Sequence, residues 1–298
     1  MKWLDHESKI ELIDLPILKE KKITLGILRE DQLHPTISGN KYRKLKYNFL
    51  EADRLNLSEI VTFGGAYSNH IAATAAAGKL FGVKTIGIIR GEELIDKIND
   101  NLTLKQAQKD GMQFEFISRN LYREKSNPEY LQKLKEQFPN AFIVPEGGTN
   151  ALAVKGCEEI LNHQTQDFDF ICCAVGTGGT ISGIINSAEK HQKVLGFPAL
   201  KNADFLYNEI NQFTLTTKYE LINAYHFNGY AKVSEELINF VKDFFVSTKI
   251  PLDLIYTGKM VYGILDQIKN DYFKENSKIL IIHTGGLQGN IGLGLNLV

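Results

Sequence analysis

"SGNKYRKLKYN" (38–48) puts four basic side chains, Lys41, Arg43, Lys44 and Lys46, into six positions. A helix started at Asn40 and advanced by ~100° per residue gathers Leu45, Phe49, Ala52 and Leu55 into one apolar stripe. Arg43, Lys46 and Arg54 fall away from the stripe, Lys44 lies at its edge, and Lys41 lies inside it at the first turn. An inward lysine at a helix N-terminus is disfavoured as a cation by desolvation and by the helix dipole. Both lower its pKa, which a Schiff-base lysine needs. A lysine that buries its stem and snorkels its amine to water would fit the same pattern. Taken alone, the stretch leaves both open.

From residue 40 onward, helical patterns alternate with short apolar runs. "EIVTFGG" (59–65), "VKTIGIIRG" (83–91), "MQFEFIS" (112–118) and "AFIVPEGG" (141–148) read as strands, with helices at about 68–81, 100–110 and 127–138 between them. Four strands joined by three crossovers make an open parallel sheet. A second series follows: helix 150–165, strand "DFICCAVG" (169–176), helix 180–190 and strand "KVLGFPAL" (193–200), ending in the strongly apolar "SKILIIHTGG" (277–286). The pattern predicts an α/β protein of two open twisted sheet domains. Residues 1–45 and 150–298 form the larger and 46–149 the smaller, an insertion, and a ligand is expected between them at the carboxyl ends of strands.

Composition narrows the class. The 298 residues are 43% hydrophobic, enough for one large or two medium cores, and the formal net charge is -1. Acidic and basic residues are interleaved, so neither a nucleic-acid nor a membrane partner is expected. "MKWLDHESKIELIDLP" lacks the apolar core of a signal peptide, and no stretch approaches the ~18 apolar residues of a membrane span. The expectation is a cytoplasmic protein. Cys157, Cys172 and Cys173 offer neither a disulfide framework nor a metal spacing, so no metal is expected.

Three strands end in glycine-rich turns. In "GGAYSNHIAATAAAGKLFG" (64–82), Ser68 and Asn69 fall where a helix cap belongs. "AVGTGGTISG" (174–183) frees backbone N–H groups at a helix start and adds the hydroxyls of Thr177 and Thr180, a cradle for a single phosphate. No Gly-Lys-Ser/Thr closes it, and Ile181 stands where a dinucleotide fold needs its third glycine. "DLIYTGKM" (253–260) fails as a nucleotide loop because Asp253 occupies the upstream glycine position. "HTGG" (283–286) brings Thr284 to the same rim.

Taken in order, "SGNKYRKLKYN", "GGAYSNH", "VGTGGTISG", "YTGK" and "HTGG" resemble the pyridoxal-phosphate (PLP) enzymes of fold type II, the tryptophan synthase β-like fold. The subgroup is that of D-cysteine desulfhydrase and 1-aminocyclopropane-1-carboxylate (ACC) deaminase, and the match runs from about residue 15 to about 290. The resemblance implies that Lys41 carries PLP as a Schiff base and removes the substrate α-proton, its basic neighbours being solvent-facing. It implies that Asn69 bonds the ring hydroxyl, that Ser68 holds the substrate carboxylate, and that Gly176, Thr177, Gly178, Gly179 and Thr180 hold the phosphate. Tyr256 matches an active-site tyrosine, and Tyr230 in "NGYAKVSEEL" a second, although the family's "YGxP" reads "YAKV" here. His70 borders the substrate or packs the helix. A homodimer and a small amino-acid substrate are implied as well.

Thr257, after Tyr256, matches the residue facing the pyridine nitrogen. Deaminases carry glutamate there and desulfhydrases a hydroxyl residue. A carboxylate keeps the ring charged, whereas a threonine can donate to an unprotonated nitrogen and leave a weaker electron sink. Opening a cyclopropane needs the strong sink; expelling sulfide does not. Thr284, where deaminases carry leucine, points the same way. The expectation is α,β-elimination on D-cysteine, giving pyruvate, hydrogen sulfide and ammonia, with Tyr256 or Tyr230 as proton donor. ACC deamination and a non-catalytic PLP-binding protein are the alternatives.

Overall fold

The computed structural model describes residue 3 and residues 6–214, 216 and 218–292. In chain order its strands are β1 (Ile10–Leu12), β2 (Thr24–Leu28), β3 (Glu59–Gly64), β4 (Lys84–Arg90), β5 (Gln113–Ile117), β6 (Ala141–Val144), β7 (Phe170–Val175), β8 (Lys193–Pro198), β9 (Tyr219–Leu221) and β10 (Lys278–Ile282). The chain divides into two compact units. One comprises Met1–Asp5, His34–Ile37 and Lys41–Gly156; the other comprises His6–Leu33, Ser38–Asn40 and Cys157–Val298.

The first unit holds a parallel sheet in the order β5-β4-β3-β6. The central strands β3 and β4 are buried along nearly their whole length, because a parallel sheet is covered on both faces and selects continuous apolar runs. Val61, Phe63, Ile86 and Ile88 pack in one layer, and Ile71, Ala75, Ile89 and Leu104 in another. The expected run 141–148 is a strand only to Val144. "EGG" (146–148) turns as a short 3-10 segment in which Gly147 has φ 65 and ψ 4.

The second unit holds a six-stranded sheet, β1-β2-β10-β7-β8-β9, parallel except for the β1–β2 pair. Because side chains alternate along a strand, the adjacent cysteines separate. Cys172 packs with Leu25, Ile27 and Ile279, and Cys173 with Leu28, Val194 and Leu280. Both are core residues, as expected. The pair β1–β2 and the strand β9 are additions to the pattern. The helix expected at 150–165 stops at Cys157, and a capped 3-10 turn at His163–Thr165 follows.

Candidate functional site

Helix Asn40–Arg54 starts where the sequence places it, with Lys41 as its second residue. Three of its basic side chains do not meet solvent, although Arg54 in its last turn does. Arg43, Lys44 and Lys46 are 6%, 1% and 9% exposed, whereas Leu55, expected in the buried stripe, is 44% exposed and follows the helix. A single-helix wheel cannot see what covers the polar side. On one side Trp3 contacts Tyr42, Phe49 and Phe81, with ring centroids 5.1, 5.8 and 4.6 Å away. On another, the Gly156 backbone lies so close that a Cβ there would sit 2.0 Å from the Arg43 carbonyl oxygen.

Lys41 and Lys44 are three residues apart and share one acceptor. Lys41 Nζ donates to the Gly147 carbonyl at 3.0 Å, and Lys44 Nζ donates to the same oxygen at 2.6 Å and to Thr149 Oγ1 at 2.8 Å. Lys44, Gly147 and Thr149 were not among the expected site residues; the two glycines of "PEGG" were the only trace.

Ser68 caps helix Asn69–Phe81, its Oγ accepting from the Ile71 N–H at 3.3 Å. Ser68 and Asn69 are half-buried, and His70 is buried. The Thr62 hydroxyl donates to the Val144 carbonyl at 2.8 Å, so its contact of 2.8 Å with His70 Nε2 must be a donation from the ring. His70 is therefore the Nε2–H tautomer. Its Nδ1 has no hydrogen-bond partner among the described residues. Burial first, and then the positive charges of Lys41 and Lys44, hold its pKa well below the usual histidine range.

In the second unit, four of the sequence fragments meet. Asn40 Nδ2 donates to Thr180 Oγ1 at 2.7 Å, and its backbone N–H to the Thr284 carbonyl at 3.2 Å. Gly39 has φ +60, and a Cβ there would lie 1.9 Å from the Thr284 oxygen. Helix Gly179–Ser187 begins after Gly178, at φ 83, and its ladder opens with the Ser182 N–H bonded to the Gly178 carbonyl. The N–H groups of Gly179, Thr180 and Ile181 thus precede the ladder. A Cβ on Gly176 would lie 3.2 Å from the Tyr256 ring, filling the space beside this turn. The rings of Tyr230 and Tyr256 stand edge to face at 6.1 Å. This loop fits a singly phosphorylated ligand, and the amine of Lys41 fits a carbonyl partner.

Two buried residues next to these were missed. Lys259 Nζ donates to the carbonyls of His226 and Gly229 at 2.9 and 2.8 Å, tethering the segment that leads into Tyr230. Burial lowers its pKa to about 8 against the opposing pull of Asp253. Asp253 accepts a hydrogen bond from the Thr257 hydroxyl, Thr257 Oγ1 donating to Oδ1 at 2.7 Å. The expected donation from Thr257 to a ring nitrogen therefore conflicts with the structure, because the hydroxyl's single hydrogen is already engaged.

Among the described residues no helix is long and apolar enough to cross a membrane. Residues 4–285 match the family described as pyridoxal-phosphate dependent enzyme. The bifunctional D-cysteine desulfhydrase/1-aminocyclopropane-1-carboxylate deaminase of Arabidopsis thaliana, a mitochondrial protein, is 32% identical over 89% of this chain and 73% of its own length. A Thermotoga maritima protein provisionally named 1-aminocyclopropane-1-carboxylate deaminase is 30% identical over 91% of each chain. The crystal structure of an ACC deaminase homologue superposes with a TM-score of 0.85, covering 98% of this chain and 93% of that one, at 24% identity.

Proposed function

Because the chain belongs to the pyridoxal-phosphate-dependent enzymes, in the group of ACC deaminases and D-cysteine desulfhydrases, we propose that it is a lyase that converts D-cysteine to pyruvate, hydrogen sulfide and ammonia. Its cofactor is pyridoxal 5'-phosphate. The observation that carries the choice of substrate is Thr257, standing where the deaminase pattern has glutamate. A neutral hydroxyl oxygen stabilises a ring cation less than a carboxylate does. Each pKa unit of that difference is ~1.4 kcal/mol, roughly tenfold in rate where it is fully expressed in the transition state. Sulfide leaves with the electron pair of the C–S bond and tolerates the weaker partner, whereas ring opening does not.

When bound, the cofactor withdraws electrons from the substrate α-carbon. The chain supplies the rest. Gly176–Thr180 hold the phosphate with backbone N–H groups and hydroxyls, and Asn69 orients the ring. Ser68 binds the substrate carboxylate, with His70 and Thr284 beside the substrate. Lys41 removes the α-proton as general base. Lys44, on the same carbonyl oxygen as Lys41, places a second positive charge nearby and so favours the uncharged amine that this step needs. Tyr256 or Tyr230 delivers a proton to the departing sulfur. A homodimer, a cytoplasmic location and a smaller domain at 46–149 inserted into a larger one at 1–45 and 150–298 belong to the same proposal.

ACC deamination is the second reading, favoured by the names of the relatives. The test supplies D-cysteine, L-cysteine and ACC separately to the purified holoenzyme and assays sulfide, pyruvate and 2-oxobutyrate. Sulfide and pyruvate from D-cysteine are expected. Efficient 2-oxobutyrate formation with little sulfide would reverse the assignment, and cofactor retention without turnover would favour a binding protein.

A further inference from the structure

One helix face carries the segment that leads into Tyr230. Lys259, Tyr262 and Asp266 stand at i, i+3 and i+7 of helix Thr257–Lys269 and so share that face. Asp266 accepts from the Tyr225 hydroxyl at 2.8 Å, and the Tyr262 ring meets the Phe227 ring edge to face at 5.0 Å. Lys259 reaches furthest along the segment. It is buried, and its amine donates to the His226 and Gly229 carbonyls at 2.9 and 2.8 Å. Those two oxygens open consecutive turns: the Gly229 N–H closes on the His226 carbonyl at 2.9 Å, and the Lys232 N–H on the Gly229 carbonyl at 3.2 Å. One amine therefore staples both turns.

Neither turn is one that its own residues favour. In the first, Phe227 and Asn228 have φ 49 and 65, the left-handed pair of a type I′ turn, in which Asn and Gly are preferred and Phe is not. In the second, Ala231 has φ 55 at the third position, which glycine normally fills when φ is positive there. Residues held against their preference persist where surrounding contacts over-determine them. Phe227 has such a contact in Tyr262, whereas Ala231 is exposed. Tyr230 lies between them, 48% exposed, its ring edge to face with Tyr256, which in turn fills the space beside Gly176. We propose that Lys259 is a positioning residue: its amine holds the turn 229–232 in its left-handed form and thereby fixes the Tyr230 ring against Tyr256. The inference rests on the reading in which Tyr230 acts in the site.

The test uses Lys259→Met, a side chain close to lysine in length and without a donor. Both carbonyls keep their backbone partner, so neither is left unsatisfied and the fold is expected to hold. Amide hydrogen exchange of the purified holoenzyme is measured first. The Lys232 N–H should exchange ~10-fold faster or more in the variant, and the Gly229 N–H, whose turn Tyr262 also anchors, should change less. For whichever of D-cysteine and ACC turns over, kcat should fall by ~10–100-fold. In a Tyr230→Ala background the same substitution should cost nothing further, because a residue that acts through Tyr230 has nothing left to position. An unchanged Lys232 amide overturns the inference. So do costs that multiply in the double variant, as they would for a merely structural lysine, and so does full turnover by Tyr230→Ala. Should Lys259→Met not fold, Lys259→Gln, with a shorter side chain, is carried through the same measurements. A wrong substrate leaves the inference standing, since either reaction reports on Tyr230. If neither compound turns over, the lyase reading fails and the Lys232 amide alone decides whether Lys259 holds the turn.

Discussion

A methyl group at Gly156 should disturb the candidate site more than it disturbs the fold. The new Cβ would stand 2.0 Å from the Arg43 carbonyl oxygen and 2.9 Å from its carbon. A relaxed carbon–oxygen contact is about 3.3 Å, and backbone atoms have no rotamer to escape into. Helix Ala151–Cys157 and the helix bearing Lys41 must then separate by more than about 1 Å. Overpacking of this kind costs ~1–3 kcal/mol, here at the upper end, which for a unit of this size lowers Tm by roughly 5–10 °C. The same displacement carries Lys41, two residues from Arg43, away from its position, and a misplacement of about 1 Å can cost ~100-fold in rate. Gly82→Ala is the control: φ is +67 with nothing within 4 Å of the new Cβ, so only a backbone term of ~1–2 kcal/mol applies. Thermal unfolding, cofactor absorbance after dialysis and kcat/KM are measured for both. If Gly156→Ala unfolds like Gly82→Ala and turns over at the wild-type rate, the reasoning that ties this helix contact to Lys41 is wrong.

Three further outcomes are expected. Gly178→Val should lose cofactor on dialysis while remaining folded, since φ is +83 and the new Cβ meets Ile210 Cγ1 at 3.2 Å; a variant as yellow as wild type would remove the phosphate loop from this turn. Borohydride reduction of the holoenzyme followed by tryptic mapping should find the adduct on Lys41, and an adduct on Lys44, which shares the same carbonyl, would exchange their roles. His70 stays neutral in the folded chain because its pKa is held well below the usual range, whereas the unfolded chain binds a proton there near pH 6.5. The unfolded state therefore carries more protons as pH falls, so stability drops between about pH 7 and pH 5. Urea midpoints should show a smaller drop in His70→Gln, and equal drops would mean that His70 charges in the fold.

The strands of both sheets were legible wherever a run was long and apolar, because parallel strands buried on two faces need such runs. β1 and β2 were not. "IEL" is three residues with a charge at its centre, and "TLGIL" has a glycine inside. They are strands because β10, some 250 residues away, supplies the register from Thr24 to Leu28. Lys44 illustrates the same limit within a helix: the wheel places it at the edge of the stripe, but its acceptors at Gly147 and Thr149 lie about 100 residues further on. Thr257 shows a subtler one. Its position could be read, yet the direction of its proton depends on Asp253, which attracts notice in the sequence only as a missing glycine.

Glycines 147 and 148 show why a turn at the end of a strand belongs with the chemistry of this unit. Two consecutive left-handed residues, φ 65 and 71, follow β6, and the Gly148 N–H closes the turn on the Pro145 carbonyl at 2.8 Å. The turn aims the Gly147 carbonyl at both lysine amines. It also brings the Gly148 backbone against the imidazole, where a Cβ would lie 2.8 Å from His70 Cε1. Only glycine meets the conformational demand and the steric one together. A carbonyl oxygen orients an amine without adding a formal negative charge, whereas a carboxylate in its place would favour the ammonium form. A lysine that must act as a nucleophile and a base is better served by the carbonyl. His70, donating through Nε2 to Thr62, stands against the same turn as a fixed neutral ring. The glycine turn and the buried second lysine therefore address one physical problem, holding an amine in place without holding its proton.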